Sequence, residues 1–330
     1  MDDISSPGLA KCLSAKAAQV DIVIVNWNAG RQLADCVKSI RTFGHSVGSI
    51  ILVDNASTDD SLAGLSVQDL PLIIIRNHEN RGFATACNQG AAVASSDYLL
   101  FLNADTRLFE NSLVEPLAFM GQAENAHIGI CGIKLIDESG NACLSYAKFP
   151  SLRNFALQAV GINMIFRSRS MGDDGVVSEA GGVRVVDQVI GAFFVVRRSV
   201  FEQLGGFDER FFVYFEEVDF ALRARKNGWA SVCLTGVQCI HIGGGSSRQV
   251  KDLRLFYSLR SRVLYGFKHF SLLSAITLFL VTLWPELLGR SVFALARGSW
   301  QDFGHVVRGY SMLIKDMPAI LREVAEMRGQ

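Results

Sequence analysis

The run Tyr98-Leu99-Leu100-Phe101-Leu102 is the feature that most limits what this chain can become. A short apolar run between polar neighbours is too brief for a typical helix and fits a strand buried on both faces. It ends abruptly in Asn103-Ala104-Asp105. In an open α/β sheet, ligands bind beyond the carboxyl ends of the strands. Oxygen-bearing side chains at i and i+2, just past such a strand, point toward one crevice. Hard divalent cations take oxygen ligands and share their shell with water and phosphates. Asn103 and Asp105 are therefore candidates for a metal–diphosphate anchor. The plainer account is a polar strand end that caps the next segment.

The flanking sequence repeats this rhythm. Val20 to Val25 is a β-branched run and a first strand, stopped by the turn cluster Asn26-Trp27-Asn28-Ala29-Gly30. Apolar spacing at Leu33, Val37 and Ile40 predicts a helix through Phe43. Ser49 to Val53 predicts a second strand ending in Asp54-Asn55, with Ser57 or Thr58 as cap for a helix from about Asp60. Leu72 to Ile75 is a third strand, leading through Asn80-Arg81-Gly82-Phe83 into a small-residue helix, Ala84 to Ala94. Strand–helix alternation of this kind implies right-handed crossovers and a mostly parallel α/β sheet flanked by helices. Asn26, Asp54, Arg81, Asn103 and Asp105 all stand where strands stop, so they converge on one edge.

A dinucleotide-binding dehydrogenase needs Gly-x-Gly-x-x-Gly at the first turn. This turn holds one glycine, and no Gly-x-x-x-x-Gly-Lys-[Ser/Thr] loop occurs in the chain. Without a glycine cradle, a cation is the natural way to hold a diphosphate. The 32 basic and 32 acidic residues balance, which gives no electrostatic case for nucleic acid. Seven scattered cysteines, none in a Cys-x-x-Cys pair, read as reduced thiols of a cytoplasmic protein. Residues 1–19 lack the apolar core of a signal peptide and read as a mobile arm.

Further on, Ile128 to Leu135 predicts a strand and Gly172 to Gly175 a loop. Val183 to Val196 returns to strand, and Ser199 is a candidate cap for the short helix after it. A second chemical cluster then appears: Glu216, Glu217 and Asp219 among Phe211, Phe212, Tyr214, Phe215 and Phe220. Acids in a first helical turn are favoured by the dipole. The aromatic surroundings would also desolvate a carboxylate and raise its pKa toward that of a useful base. His241 precedes three glycines, a loop suited to closing over substrate, with Arg248 and Lys251 as phosphate contacts. From 251 the character changes. Arg254, Arg260, Arg262 and Lys268 precede the apolar run 272–284, which is short of a bilayer span and is interrupted by Pro285 and Glu286. This predicts interfacial membrane association with the basic residues near anionic headgroups. The alternatives are packing against the catalytic part or a homo-oligomer interface. Residues 301–330 read as one more amphipathic helix.

Together these segments resemble family 2 glycosyltransferases, in particular the rhamnosyltransferase-like branch that builds bacterial surface polysaccharides such as O-antigen. The matching pieces are Ile24 to Asn28, Val53 to Asp59, Asn80 to Phe83, Phe101 to Asp105, Gly205 to Glu209, Tyr214 to Asp219, and His241 with its glycines. The resemblance implies a GT-A-type fold over 20–250, with a nucleotide-sugar half (20–110) and an acceptor half (111–250), then a helical C-terminal region. It implies inverting transfer from a nucleoside-diphosphate sugar with Mg²⁺ or Mn²⁺. Asn26, Asp54, Asn55, Arg81 and Asn103 become the nucleotide-sugar set. Asp105 takes the main metal position of an Asp-x-Asp-like motif and His241 completes the shell. Glu217 falls at the base position of the family's Glu-Asp pair, beside Glu216, with Asp219 in reserve. The branch suggests dTDP-L-rhamnose as donor and a lipid-linked glycan as acceptor at the inner face of the cell membrane. A UDP-hexose donor fits the same scaffold, and so does a non-catalytic sugar-nucleotide-binding subunit.

Overall fold

The computed structural model describes residues 19–63, 65, 71–159, 176–180, 182–243 and 250–329. Residues 1–18 of the predicted arm, the 172–175 loop, the glycines 244–245 and Arg248 lie outside them. The first half alternates as expected: β1 (Val20–Asn26), α1 (Arg31–Phe43), β2 (Val47–Asp54), β3 (Leu72–Arg76), α2 (Phe83–Ala92) and β4 (Tyr98–Asn103). Then follow β5 (Thr106–Arg107), α3 (Asn111–Gly121), β6 (Ile128–Ile136), β7 (Tyr146–Ala147), α4 (Leu152–Ala159), β8 (Val176–Ala180), β9 (Val183–Val186), β10 (Gln188–Val189) and β11 (Phe193–Arg197). The described chain closes with α5 (Arg198–Gln203), α6 (Glu216–Lys226), β12 (Ala230–His241) and the C-terminal helices.

The main sheet runs β3-β2-β1-β4-β11-β6-β12-β9-β8, with β5 added on β12. β3, β2, β1 and β4 are parallel, whereas β11 enters antiparallel to both β4 and β6. The anchor strand is buried on both faces. Tyr98, Leu100 and Leu102 join the core on one side, while Leu99 and Phe101 join the core on the other, the period-2 alternation of a strand. The Phe101 ring packs at a tilt against Phe201 and Phe207 at centroid distances of 5.0 and 4.8 Å, and Phe207 meets Phe220 of α6 edge-on at 5.4 Å. Each such ring, fully buried, contributes about 1.5–3 kcal/mol. This aromatic cluster packs α6 against β4.

Between residues 57 and 203, three expectations change. Residues 60–63 form a turn rather than a helix start, because the Ser57 and Ser61 hydroxyls are drawn to the Asn26 amide at 2.9 and 2.8 Å. The 183–196 stretch breaks into β9, β10 and β11, with a turn at Gly191–Ala192. Ser199 lies inside α5, which starts after Arg197.

The C-terminal part comprises α7 (Lys251–His269), α8 (Leu272–Val281), a π-turn (Thr282–Glu286), α9 (Leu287–Ala296), α10 (Trp300–Lys315) and α11 (Met317–Gly329). The segment expected as one helix after 301 is therefore two. Pro285 and Glu286 do not interrupt the preceding apolar helix either. Residues 272–296 form one continuous helix, long and apolar enough to cross a membrane by length and composition. The π-turn accommodates Pro285. Glu286 is buried and held by Arg262 at 2.5 Å and Arg290 at 2.7 Å. The basic residues expected at a lipid surface are largely spent inside the protein. Arg260 binds Asp316 and Glu323, and Lys268 binds Asp208 and Asp219. Their acidic partners lie far away in sequence, so local charge patterning could not reveal them.

Candidate active site

A cavity of about 620 Å³ opens at the carboxyl ends of β1 and β4. Register explains what gathers there. Val25 of β1 pairs with Asn103, Asn26 pairs with Asp54, and His241 at the end of β12 pairs with Thr106 of β5. Antiparallel pairing of β12 with β5 thus carries His241 across the sheet to Asp105.

The His241 Nε2 stands 3.4 Å from Asp105 Oδ1 and 3.4 Å from the Asn103 amide. That is long for a good hydrogen bond. It is near the separation of adjacent ligands on a cation with bonds of about 2.1 Å, which is about 3 Å. Asp105 Oδ2 accepts the Gly243 N–H at 3.1 Å, so the carboxylate is pre-oriented. Burial opposes its ionisation. The bond and charge of His241 and the backbone N–H groups nevertheless hold its pKa below the ordinary carboxylate value. An ionised carboxylate, an imidazole and an amide suit a divalent cation. Among the described residues no group of three or more His, Cys, Asp or Glu converges.

The other predicted nucleotide residues divide into two layers. Asn55 lines the cavity. Its amide donates to Asn80 Oδ1 at 2.8 Å and Gly82 O at 3.1 Å, and its Oδ1 accepts from Asn77 and from the Arg81 N–H. The Arg81 side chain is exposed. Asn26 and Asp54 are buried behind this wall, with the Asn26 amide donating to Asp54 Oδ1 at 2.9 Å. They tie the tips of β1 and β2 together.

The acids of α6 separate cleanly. Phe215, just before the helix, has φ +72°, a left-handed turn that swings the chain so that the acids start the helix. Glu217 packs against Gly191: a Cβ there would stand 3.6 Å from Glu217 Cγ. The adjoining Ala192 carbonyl accepts the Asn103 N–H at 3.1 Å. Glu217 and the metal candidates therefore flank one turn. Its Oε2 is buried with no hydrogen-bond partner among the described residues, which costs about 1–3 kcal/mol. Burial pushes its pKa up, against the helix N–H groups. Glu216 is buried near Cys87, and burial and the Glu217 charge push it up further. None of the three acids is among the residues that line the cavity, and Asp219 is fully buried. Arg223, Lys268 and His269 surround its carboxylate at 2.7, 2.6 and 2.7 Å. These partners outweigh burial and hold its pKa down. It fastens α6 to α7.

Sequence reasoning overlooked one wall. Leu253, Arg254 and Tyr257 of α7 line the cavity, and Tyr257 stacks on Phe212 at 4.3 Å. The change in composition near 251 hid that α7 returns to the sheet edge. Trp27 in the first turn also lines it. Lys251, expected at a phosphate, binds Asp302 at 3.1 Å.

A half-parallel sheet flanked by helices, with a strand-end acid facing a cavity, defines a GT-A-type glycosyltransferase fold. The solved mannosyltransferase PcManGT from Pyrobaculum calidifontis, in complex with GDP-Man and Mn²⁺, shares it. Its TM-score is 0.55 at 16% identity, over 94% of this chain and 87% of that one. Residues 21–205 match glycosyl transferase family 2, and the chain belongs to that family. An N-acetylglucosaminyl-diphospho-decaprenol L-rhamnosyltransferase of Mycobacterium tuberculosis is 29% identical over 234 residues, 67% of this chain and 75% of that protein. The rhamnosyltransferase WbbL of Escherichia coli is 27% identical over 175 residues, 52% of this chain and 62% of that protein. The protein is a glycosyltransferase related to rhamnosyltransferases of polysaccharide biosynthesis.

Proposed function

We propose that the protein transfers L-rhamnose from dTDP-L-rhamnose, with inversion, to a hydroxyl of a polyprenyl-diphosphate-linked glycan at the inner face of the cell membrane. The observation that supports this reading is that the Asn103 N–H bonds to the Ala192 carbonyl at 3.1 Å, beside Asp105 and His241, while Glu217 packs on the adjoining Gly191. The choice of sugar and lipid rests on the named activities of the relatives. Residues 20–110 serve the donor, and 111–250 with α7 serve the acceptor.

Asp105 and His241, with Asn103 beside them, would hold Mg²⁺ or Mn²⁺. The cation supplies charge neutralisation on the departing diphosphate. Asn55 and the Asn80–Gly82 backbone shape the nucleotide wall. Glu217 takes the proton from the acceptor hydroxyl. The hydroxyl oxygen then bonds to the anomeric carbon as the carbon–phosphate-oxygen bond opposite it breaks. A raised pKa strengthens Glu217 as a base once it is ionised. The buried, unpartnered Oε2 is a ready acceptor for that proton.

The test is a thermal-shift panel of dTDP-rhamnose, UDP-hexoses and GDP-mannose with Mn²⁺, followed by transfer to a polyprenyl-diphosphate glycan. The reading expects dTDP-rhamnose to stabilise most and to be consumed with inversion. Selective stabilisation and turnover of a UDP-hexose would reassign the donor. Retention of configuration would remove the single-displacement role of Glu217.

A further inference from the structure

The helix 272–296 carries an apolar file that nothing in the described structure covers. Leu273, Ile276, Leu280, Trp284, Leu288 and Val292 are all exposed, from 40% at Ile276 to 76% at Leu273. An unbroken α-helix would not align them. The 19 steps from Leu273 to Val292, at about 100° each, overshoot five turns by about 100°, or one residue. A π-turn takes in one extra residue, and one lies at Thr282–Glu286. It removes that overshoot and brings both halves of the file onto one face. On the opposite side, Glu286 is anchored to Arg262 and Arg290. That anchor ties the helix to α7 through a buried ion pair.

The file leads back to the cavity. Gly266 of α7 lies beside Leu278, and Arg262 binds Glu286, so this helix runs antiparallel to α7 and returns toward its N-terminus. There Lys251 binds Asp302, two residues past Trp300, while Val250, Leu253 and Arg254 line the cavity. Trp300 is 75% exposed, and Val307 and Ile314 continue from it at seven-residue spacing, also exposed.

We propose that this file, with Trp300 at its cavity end, is a bilayer-docking surface that lies flat in the headgroup region. It holds the cavity mouth at the level of a lipid's phosphate groups. A bilayer fits better than a second copy of the chain. The file is about 28 Å long and one helix of about 10 Å wide, so it covers about 300 Å². That falls short of the about 800 Å² per partner of a stable protein interface. It carries no charged or hydrogen-bonding residue that would set a protein register, apart from the Trp284 N–H. Trp side chains favour the boundary between headgroups and hydrocarbon. The surface stands on this geometry; its service to a lipid-linked acceptor rests on the proposed function.

The experiment is flotation of the full chain with phosphatidylethanolamine–phosphatidylglycerol vesicles, beside a triple variant, Trp284→Ser, Leu288→Gln and Val292→Gln. The wild type should float, and the variant should lose at least tenfold in vesicle affinity. Its thermal shift with dTDP and Mn²⁺ should be unchanged, which shows that it folds and that the donor site is intact. Equal flotation of both proteins would overturn the proposal. A wild type that stays with the soluble fraction as a dimer, which the variant breaks, would overturn it in favour of a second copy. Loss of the nucleotide shift in the wild type, with flotation retained, would instead count against the proposed function alone.

Discussion

Asp219 separates a structural acid from a catalytic one, and Asp219→Asn tests that directly. The substitution keeps size and one acceptor oxygen but removes the charge. Arg223 and Lys268 then lose a buried counter-ion, and His269 loses a carboxylate acceptor at 2.7 Å. Breaking a buried pair costs about 3–5 kcal/mol. Lys268 keeps Asp208 at 2.6 Å, which places the loss at the lower end, about 3 kcal/mol. At about 2–4 °C per kcal/mol, the melting temperature should fall by about 6–12 °C. Differential scanning fluorimetry at neutral pH reads this. The pH dependence carries a sign. The Asp219 pKa is lowered in the folded state, so its contribution is present above the unfolded value near 3.8 and is lost as pH falls through the lowered one. The variant should lack that acid-side loss. If D219N melts with the wild type yet transfers no sugar, the carboxylate is chemical and the assignment of Glu217 falls.

Glu217→Gln should lower the transfer rate by about 10²–10⁴-fold while leaving nucleotide affinity unchanged; a near-normal rate with saturating donor would exclude it as base. In the wild type, the rate should fall as pH drops below the raised Glu217 pKa, a limb that a pH–rate profile would show and that the Gln variant would lack. The same raised carboxyls hold protons that the unfolded chain releases, so their contribution to stability declines as pH rises from the ordinary glutamate value through the raised one. Gly90→Ala places a Cβ 2.4 Å from Val23 Cγ1, where α2 lies on β1. Overpacking of about 1–3 kcal/mol should exceed the helix-propensity gain of about 1 kcal/mol, and a lowered urea midpoint would show it.

The donor half was legible because its signals are local. Apolar runs, their period and their polar ends sufficed to place β1, β2, β3 and β4 and to bring Asn103 and Asp105 to one edge, whereas of the other residues expected there Asn26 and Asp54 are buried and the Arg81 side chain is exposed. What escaped depends on contacts distant in sequence. The antiparallel insertion of β11 hinges on a turn at Gly191–Ala192 within a run that reads as continuous strand. Arg260, Arg262 and Lys268 look like a basic surface until Asp316, Glu323, Glu286 and Asp208 arrive from elsewhere. Asp219 reads as part of an acidic trio until His269 and Lys268 are folded against it. The continuity of the 272–296 helix was hidden by Pro285, whose local signal is a break.

The central claim is that Asp105 holds a cation that binds the donor's diphosphate. Isothermal titration of dTDP with Mn²⁺ or with EDTA, in the wild type and in Asp105→Ala, tests it most directly. The account predicts at least tenfold tighter binding with Mn²⁺ in the wild type and no such gain in D105A. Equal affinity with and without metal in the wild type, or an undiminished gain in the variant, would contradict it.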